Sequence, residues 1–84
     1  MKPKISEKVR MRKDLDGYLI YYPRGHIYLV NEIGYEILSL CNGENTIDDI
    51  STFLSNKYKI DKSKAYNDVK KFLKKFEFLL EYEQ

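Results

Sequence analysis

The spacing of hydrophobic and polar residues changes about a third of the way along the chain. Before that point, apolar and charged residues alternate over residues 9–12, and runs of strand-forming residues cover 18–22 and 26–30. Asp16-Gly17 separates the first two segments and Pro23-Arg24-Gly25 separates the last two, and both sequences are typical of turns. The pattern predicts a meander of three short strands, in which the first and third strands are edges with unpaired backbone groups.

From Asn31 onward, apolar residues recur every three or four positions, as they do on one face of a helix. We predict three helices: the first follows Asn31, the second runs from Thr46 to near Tyr58, and the third begins between Asp61 and Ser63. Each start has a short polar side chain that can cap the helix. The residues predicted to face inward are Ile33, Ile37, Leu38 and Leu40 in the first helix, Ile47, Ile50, Phe53 and Leu54 in the second, and Ala65, Val69, Phe72, Leu73 and Phe76 in the third.

Strands followed by helices predict an α+β fold. Because a short polar turn joins the second and third helices, we expect a winged-helix-like architecture, with an N-terminal three-stranded antiparallel sheet followed by three helices. A chain of 84 residues has room for a single domain, residues 1–84, with its core at about 8–80. Asn42-Gly43 is predicted to stop the first helix. Residues 78–80 form either the last turn of the third helix or a short terminal strand.

Composition limits the classes of function. The formal net charge is only +2, whereas nucleic-acid-binding domains more often carry a strong basic excess. Cys41 is the only cysteine, so no disulfide can form within the chain. No apolar stretch approaches the length of about 20 residues that crosses a bilayer, and the first residues do not have the pattern of an export signal. We therefore expect a cytoplasmic protein with no membrane segment.

Candidate catalytic residues are few. The chain has one histidine, His26, and one cysteine, Cys41, whereas a metal site needs several convergent ligands. Asp48 and Asp49 fall at a predicted helix start, where the helix dipole favours negative charge without any catalytic role. We expect no catalytic residue, no metal site and no cofactor, and a structural role for Cys41.

The order of several short motifs resembles the PqqD family. The motifs are Val9-Arg10, Asp16-Gly17, Val30-Asn31-Glu32, Ile37-Leu38, Asn42-Gly43, Thr46-Ile47-Asp48-Asp49-Ile50, Asp68-Val69 and Phe72-Leu73. They run from about residue 8 to 80, and the chain departs from the family pattern at Phe78, where most relatives have a small residue. The resemblance implies a non-enzymatic domain that binds the leader segment of a ribosomally synthesised precursor peptide and presents it to a modifying enzyme, of the radical-SAM type by family analogy.

In domains of this family the leader adds as a strand to the third strand of the sheet and lies against the third helix. The resemblance therefore implies that the peptide-binding residues are His26, Ile27, Tyr28, Leu29 and Val30 on the strand and Lys64, Asp68, Lys71, Phe72 and Lys75 on the helix. Each also has a simpler interpretation. Alternation makes one face of the strand part of the core, Phe72 fits the core equally well, and the lysines fit an ordinary solvated surface.

Two other functions stay open. A winged-helix domain that binds nucleic acid would insert its third helix into the major groove. Against this, Asp68 and Glu77 interrupt the lysines, and that helix has no arginine to bind guanine. A structural or dimerising subunit would instead pair its edge strands between two copies, so we expect a monomer or a homodimer.

Overall fold

The fold consists of two small antiparallel sheets and three helices. The structure is a computed structural model that describes residues 2–83. Its strands are β1 Lys2–Ile5, β2 Arg10–Asp14, β3 Gly17–Tyr22, β4 His26–Val30 and β5 Leu80–Glu83, and its helices are α1 Glu32–Ser39, α2 Ile47–Tyr58 and α3 Lys62–Lys75. Single 3-10 turns cover Pro23–Gly25 and Glu77–Leu79. The predicted α+β fold, with a three-stranded antiparallel sheet followed by three helices, is confirmed.

The three-stranded sheet has the order β2-β3-β4, so β3 is central and β2 and β4 are the edges, as predicted. Ile20 on β3 pairs with Met11 and Tyr28, and the next residue, Leu19, pairs with Arg12 and Leu29. Because successive side chains in a strand point to opposite faces, these two rows lie on opposite sides of the sheet. Ile20 is fully buried, which identifies its side as the one that the helices cover.

Side-chain caps define where the three helices begin. Asn31 accepts the backbone N–H of Gly34 at 2.8 Å. Thr46 accepts the N–H of Asp49 at 3.1 Å, while the Asp49 carboxylate accepts the N–H of Thr46 at 2.9 Å, which completes a capping box. Asp61 caps α3. The predicted helix starts are therefore confirmed.

Helix ends and exposed faces differ in part from the prediction. α1 ends at Ser39, before the predicted stop at Asn42-Gly43. Ile33 and Phe53 were predicted to face inward, but they are 40% and 43% exposed. Ile33 lies in the first turn of α1, and Phe53 lies at the border of the α2 stripe that packs on α3, so neither side chain is covered by a neighbouring element.

Two adjoining clusters of buried side chains form the core. One lies between the sheet and the helices and contains Val9, Ile20, Val30, Leu38, Phe76 and Leu79. The other lies among the three helices and contains Ile37, Cys41, Ile50, Leu54, Val69 and Leu73. Phe72 packs against both clusters, so the predicted inward face of α3 is confirmed.

A second sheet joins the two ends of the described chain. β1 pairs antiparallel with β5, from Lys2 opposite Glu83 to Ile5 opposite Leu80. The last residues therefore form a 3-10 turn and then a terminal strand, which resolves the alternative that the sequence left open. β1 lies outside the predicted core segment. Among residues 2–83, the structure has no helix long and apolar enough to span a membrane.

Candidate functional site

The open edge of β4 offers backbone groups to a partner. β4 pairs with β3 on one side, and no other described strand pairs with it on the other side. An antiparallel edge strand directs the N–H and C=O groups of alternate residues to its open side. None of the five residues of His26–Val30 is proline, so each retains its N–H group. The edge is therefore able to hydrogen-bond to an additional strand.

The two faces of β4 have different surroundings. Val30 is 7% exposed and Tyr28 is half-buried on the helix side, whereas Ile27 and Leu29 are each 55% exposed on the opposite side. His26, at the start of the strand, is exposed. The prediction that alternation separates Tyr28 and Val30 from Ile27 and Leu29 is confirmed, and the first pair is the one that joins the core.

Aromatic side chains continue the helix side of β4 toward the end of α3. The ring centroid of Tyr28 lies 6.0 Å from that of Phe76 and 5.3 Å from that of Phe78, and Phe72 lies 4.9 Å from Phe76. Phe78 also makes an edge contact with Tyr22 at 6.1 Å. We call these five residues the aromatic cluster. Phe78 remains 44% exposed, so part of the cluster is open to a ligand.

The position of Phe72 depends on a close approach between α1 and α3. A Cβ atom on Gly34 would lie 2.9 Å from Cε2 of Phe72 and 3.1 Å from Cβ of Val30. Glycine is therefore required for α1 to pack this closely, and the contact holds the Phe72 ring beside Val30. Phe72, which the sequence proposed for peptide binding, is half-buried and belongs to both the core and the aromatic cluster.

Four polar residues of α3, spaced by four, three and four positions, share one exposed stripe: Lys64, Asp68, Lys71 and Lys75. The last three of them lie within about one turn of Phe72. Lys64 Nζ lies 3.1 Å from the Asp68 carboxylate, so these two charges largely neutralise each other. Both side chains are more than half exposed, and such pairs contribute less than about 1 kcal/mol. With the side chains of residues 2–81, Lys71 and Lys75 form no ion pair, and the Lys75 ammonium lies 5.7 Å from the Phe76 ring centroid.

The structure places the two candidate catalytic groups, His26 and Cys41, in different surroundings. Burial raises the pKa of the Cys41 thiol to about 12, and its S–H donates to the carbonyl of Ile37 at 3.2 Å. His26 is exposed at the start of β4, while Cys41 is fully buried. Asp49 belongs to the α2 capping box. Within the side chains described for residues 2–81, no group of three or more His, Cys, Asp or Glu residues is arranged to hold a metal ion.

A surface depression of about 360 Å³ lies where α2 and α3 begin, and it shares no residue with β4 or the aromatic cluster. It is lined by Asp48, Lys62, Ser63, Tyr66 and Asn67. Lys62 Nζ lies 3.1 Å from the Asp48 carboxylate, so the two charged residues that line the depression are already paired with each other.

Sequence reasoning missed the role of Tyr22, Phe76 and Phe78 beside the edge strand. It placed Phe76 in the core and treated Phe78 as a departure from a family pattern. The 3-10 turn at Glu77–Leu79 carries Phe78 back to the sheet, and no local signal marks that turn. An aromatic residue in place of a small one was the only signal that could have identified this position.

A protein-family model matches most of this chain. The family model described as "Coenzyme PQQ synthesis protein D (PqqD)" matches residues 17–77, which include β3, β4 and all three helices. No curated protein matches significantly.

Three solved structures have closely similar folds. "Lasso peptide synthetase B1 complexed with the leader peptide" matches with a TM-score of 0.80 and 15% identity, covering 95% of this chain and 96% of that one. "TbiB1 in Complex with the TbiA(beta) Leader Peptide" matches with a TM-score of 0.78 and 23% identity, covering 96% of this chain and 98% of that one. The PqqD truncation of Methylobacterium extorquens PqqCD matches with a TM-score of 0.75 and 22% identity, covering 94% of this chain and 87% of that one. It is described as a functional and stand-alone recognition element for ribosomally synthesised and post-translationally modified peptides. At these identities the likeness shows a shared fold.

Proposed function

This chain belongs to the PqqD family, and we propose that it binds the leader segment of a ribosomally synthesised precursor peptide and presents that precursor to a modifying enzyme. The observation that carries the proposal is the open edge of β4 beside the partly exposed aromatic cluster. Two proteins of the same fold were solved with leader peptides bound, which supports this class of ligand.

In the proposed complex the leader adds to β4 as an extra strand. Main-chain hydrogen bonds along His26–Val30 supply part of the affinity and fix the direction of the peptide. Val30 is buried, so its contribution is confined to its backbone groups. A strand of this length with one or two anchored side chains corresponds to a Kd of about 1 μM, or about 8 kcal/mol.

Alternate leader side chains would supply the specificity. Those on the helix side of the added strand meet Tyr28 and the open part of Phe78, with Phe72 and Phe76 behind them. An apolar or aromatic leader residue fits this surface, because stacked and edge-to-face ring contacts add about 0.5–1.5 kcal/mol beyond the buried area. Ile27 and Leu29 point to the other side of the sheet and do not contribute to this contact.

Charge on α3 would act mainly on the rate of encounter. Lys71 and Lys75 are exposed cations on the stripe beside Phe72, whereas Lys64 is already paired with Asp68. Steering by exposed charge raises the association rate more than the affinity. We therefore expect an acidic leader to associate more slowly as ionic strength rises, with a small effect on its dissociation rate.

In the proposed role the domain binds the leader and the modifying enzyme but catalyses no reaction itself. By holding the leader and the modifying enzyme together, the domain would raise the effective concentration of the core peptide at the enzyme's active site. By family analogy the enzyme is of the radical-SAM type, and the setting is the cytoplasm. The chain itself needs no cofactor for this role.

Amide hydrogen exchange of β4 tests strand addition directly. In the free protein, amides bonded to β3 exchange slowly, and those at the intervening positions of His26–Val30 exchange fast. The probe is the leader segment of the precursor peptide encoded beside this gene. We expect the fast-exchanging amides to become protected when it binds. Binding that leaves these amides unprotected would refute strand addition. Protection of amides by duplex DNA in place of the leader would favour a nucleic-acid-binding domain.

A matched pair of phenylalanines tests the aromatic cluster. Phe78 is 44% exposed beside β4, and Phe53 is 43% exposed on α2. We expect Phe78→Ala to weaken leader binding about tenfold, since an anchoring aromatic contact is worth more than about 1 kcal/mol. Phe53→Ala removes a similar exposed ring and should leave the titration unchanged. Equal effects of the two substitutions would contradict the proposed site.

A further inference from the structure

The side of the sheet opposite the helices carries an unexplained apolar surface. It consists of Leu19 and Tyr21 on β3 and Ile27 and Leu29 on β4, which we call the outer apolar face. Leu29 pairs with Leu19, and Ile27 pairs with Tyr21, so the four side chains adjoin one another. None of them belongs to either core cluster, and Ile27 and Leu29 are 55% exposed. A contiguous exposed patch of this kind marks an interaction surface.

Basic residues line one side of this surface. Arg10 on β2 pairs with Tyr21, and Arg12 pairs with Leu19, so both arginine side chains leave the sheet on the same side as the apolar side chains. Both residues are exposed. Arg10 donates to the carbonyls of Glu7 and Val9 at 2.6 and 3.1 Å, but neither arginine forms an ion pair with a side chain of residues 2–81. The surface thus combines an apolar centre with two arginines on one border, which ends at Asp14 beside the β2–β3 turn.

We propose that the outer apolar face docks the modifying enzyme, through an apolar segment of that enzyme bordered by carboxylates. The proposal rests on the proposed function for the existence of such an enzyme, but it concerns a separate surface. Guanidinium groups form bidentate hydrogen bonds with carboxylates, and aliphatic residues bury apolar area, so an acidic amphipathic segment complements both features. In the proposed complex the leader adds at the edge of β4, which leaves the β2 and β3 residues of this face free.

The charges around the outer apolar face argue against two other partners, a second copy of this chain and an anionic membrane. A second copy docked through the same face would bring the Arg10 and Arg12 side chains of both copies into one interface, where like charges repel. An anionic membrane would attract the arginines and the fully exposed Leu15 in the β2–β3 turn. However, Asp14 and Asp16 flank Leu15 and would be repelled by the lipid headgroups.

The test uses two pairs of variants and the purified modifying enzyme encoded beside this gene as the probe. Arg12→Glu reverses a charge on the outer apolar face, and Lys13→Glu makes the same charge change on the next residue of β2, whose side chain points to the other side. Ile27→Thr/Leu29→Thr removes apolar surface while retaining strand-forming residues. We expect Arg12→Glu and the double variant each to weaken enzyme binding by about tenfold or more, and Lys13→Glu by less than about threefold.

A leader titration on Arg12→Glu separates this proposal from the proposed function, because Arg12 lies on β2 and outside the peptide-binding strand. Weaker enzyme binding by Arg12→Glu with unchanged leader affinity and an unchanged circular dichroism spectrum supports the docking surface. Unchanged enzyme binding by Arg12→Glu, or equal losses for enzyme and leader, overturns it. So does a dimer that the Ile27→Thr/Leu29→Thr variant dissociates, or binding to phosphatidylglycerol vesicles that this variant abolishes while enzyme binding persists. If the wild type binds the enzyme but no leader, the proposed function fails and the docking surface stands.

Discussion

Replacing Gly34 by alanine tests the packing that supports the site. In an isolated helix this change would stabilise α1 by about 0.5–1 kcal/mol, because glycine is a poor helix former. Here the new Cβ would lie 2.9 Å from Cε2 of Phe72 and 3.1 Å from Cβ of Val30. The ring and the strand must move apart, and overpacking of this kind costs about 1–3 kcal/mol.

The two effects oppose each other, and the steric cost is the larger. We expect Gly34→Ala to lower the free energy of unfolding by about 1 kcal/mol, which corresponds to a fall in Tm of about 4–8 °C for a domain of this size. Urea titration monitored by circular dichroism measures this change in the free energy of unfolding. Asn56→Ala on the exposed side of α2 supplies the control, since it gains helix propensity without a new contact and should be slightly stabilising.

A double-mutant cycle identifies the source of the cost. Phe72→Leu removes Cε2 and Cζ of the ring, the two atoms that would lie 2.9 and 3.1 Å from the new Cβ. In that background only the 3.1 Å approach to Cβ of Val30 remains, and the gain in helix propensity offsets it. Gly34→Ala should therefore be close to neutral there, with a coupling energy of about 1 kcal/mol between Gly34 and Phe72. A stabilising effect of Gly34→Ala in the wild type, equal to that of Asn56→Ala, would refute the close packing of α1 against Phe72.

Three further predictions concern stability and reactivity. Thr46→Ala removes one half of the α2 capping box and should lower the free energy of unfolding by about 1 kcal/mol, which thermal denaturation measures. Hydrogen bonds from Lys57 and Tyr58 lower the pKa of Glu36, so their stabilisation is present above its ordinary value of 4.5 and is lost as the pH falls through the folded value. Glu36→Gln should therefore make unfolding less sensitive to acid, and an unchanged acid response would contradict this ion pair. Cys41, with its pKa raised to about 12, should react with a thiol reagent at pH 8 only after denaturation.

Local signals were sufficient for most of the fold. The turn at Pro23–Gly25 and the alternation of apolar residues in β4 predicted the edge strand, and the Thr46 cap predicted the start of α2. Each of these features depends on residues a few positions apart. The pairing of Lys64 with Asp68 was also available from their spacing of four along α3.

Contacts between distant parts of the chain could not be predicted in the same way. β1 is a short segment containing proline, and its partner β5 lies at the opposite end of the described chain, so neither strand is recognisable alone. The contact of Phe78 with Tyr28 likewise depends on the 3-10 turn after α3. Alternation separated Tyr28 from Ile27, but only the packing of the helices decided which of them faces the aromatic cluster.

A strand added to β4 would extend both faces of the sheet. Its helix-side residues would meet the aromatic cluster, and the intervening residues would lie beside Ile27 and Leu29 on the outer apolar face. The enzyme proposed to dock there would then contact the leader as well as this domain. Binding free energies are reciprocal, so the leader should raise the affinity for the enzyme by the same factor by which the enzyme raises the affinity for the leader. Titrating the enzyme into the free and the leader-bound domain measures this factor. Equal affinities would mean that the enzyme contacts this domain without contacting the added strand.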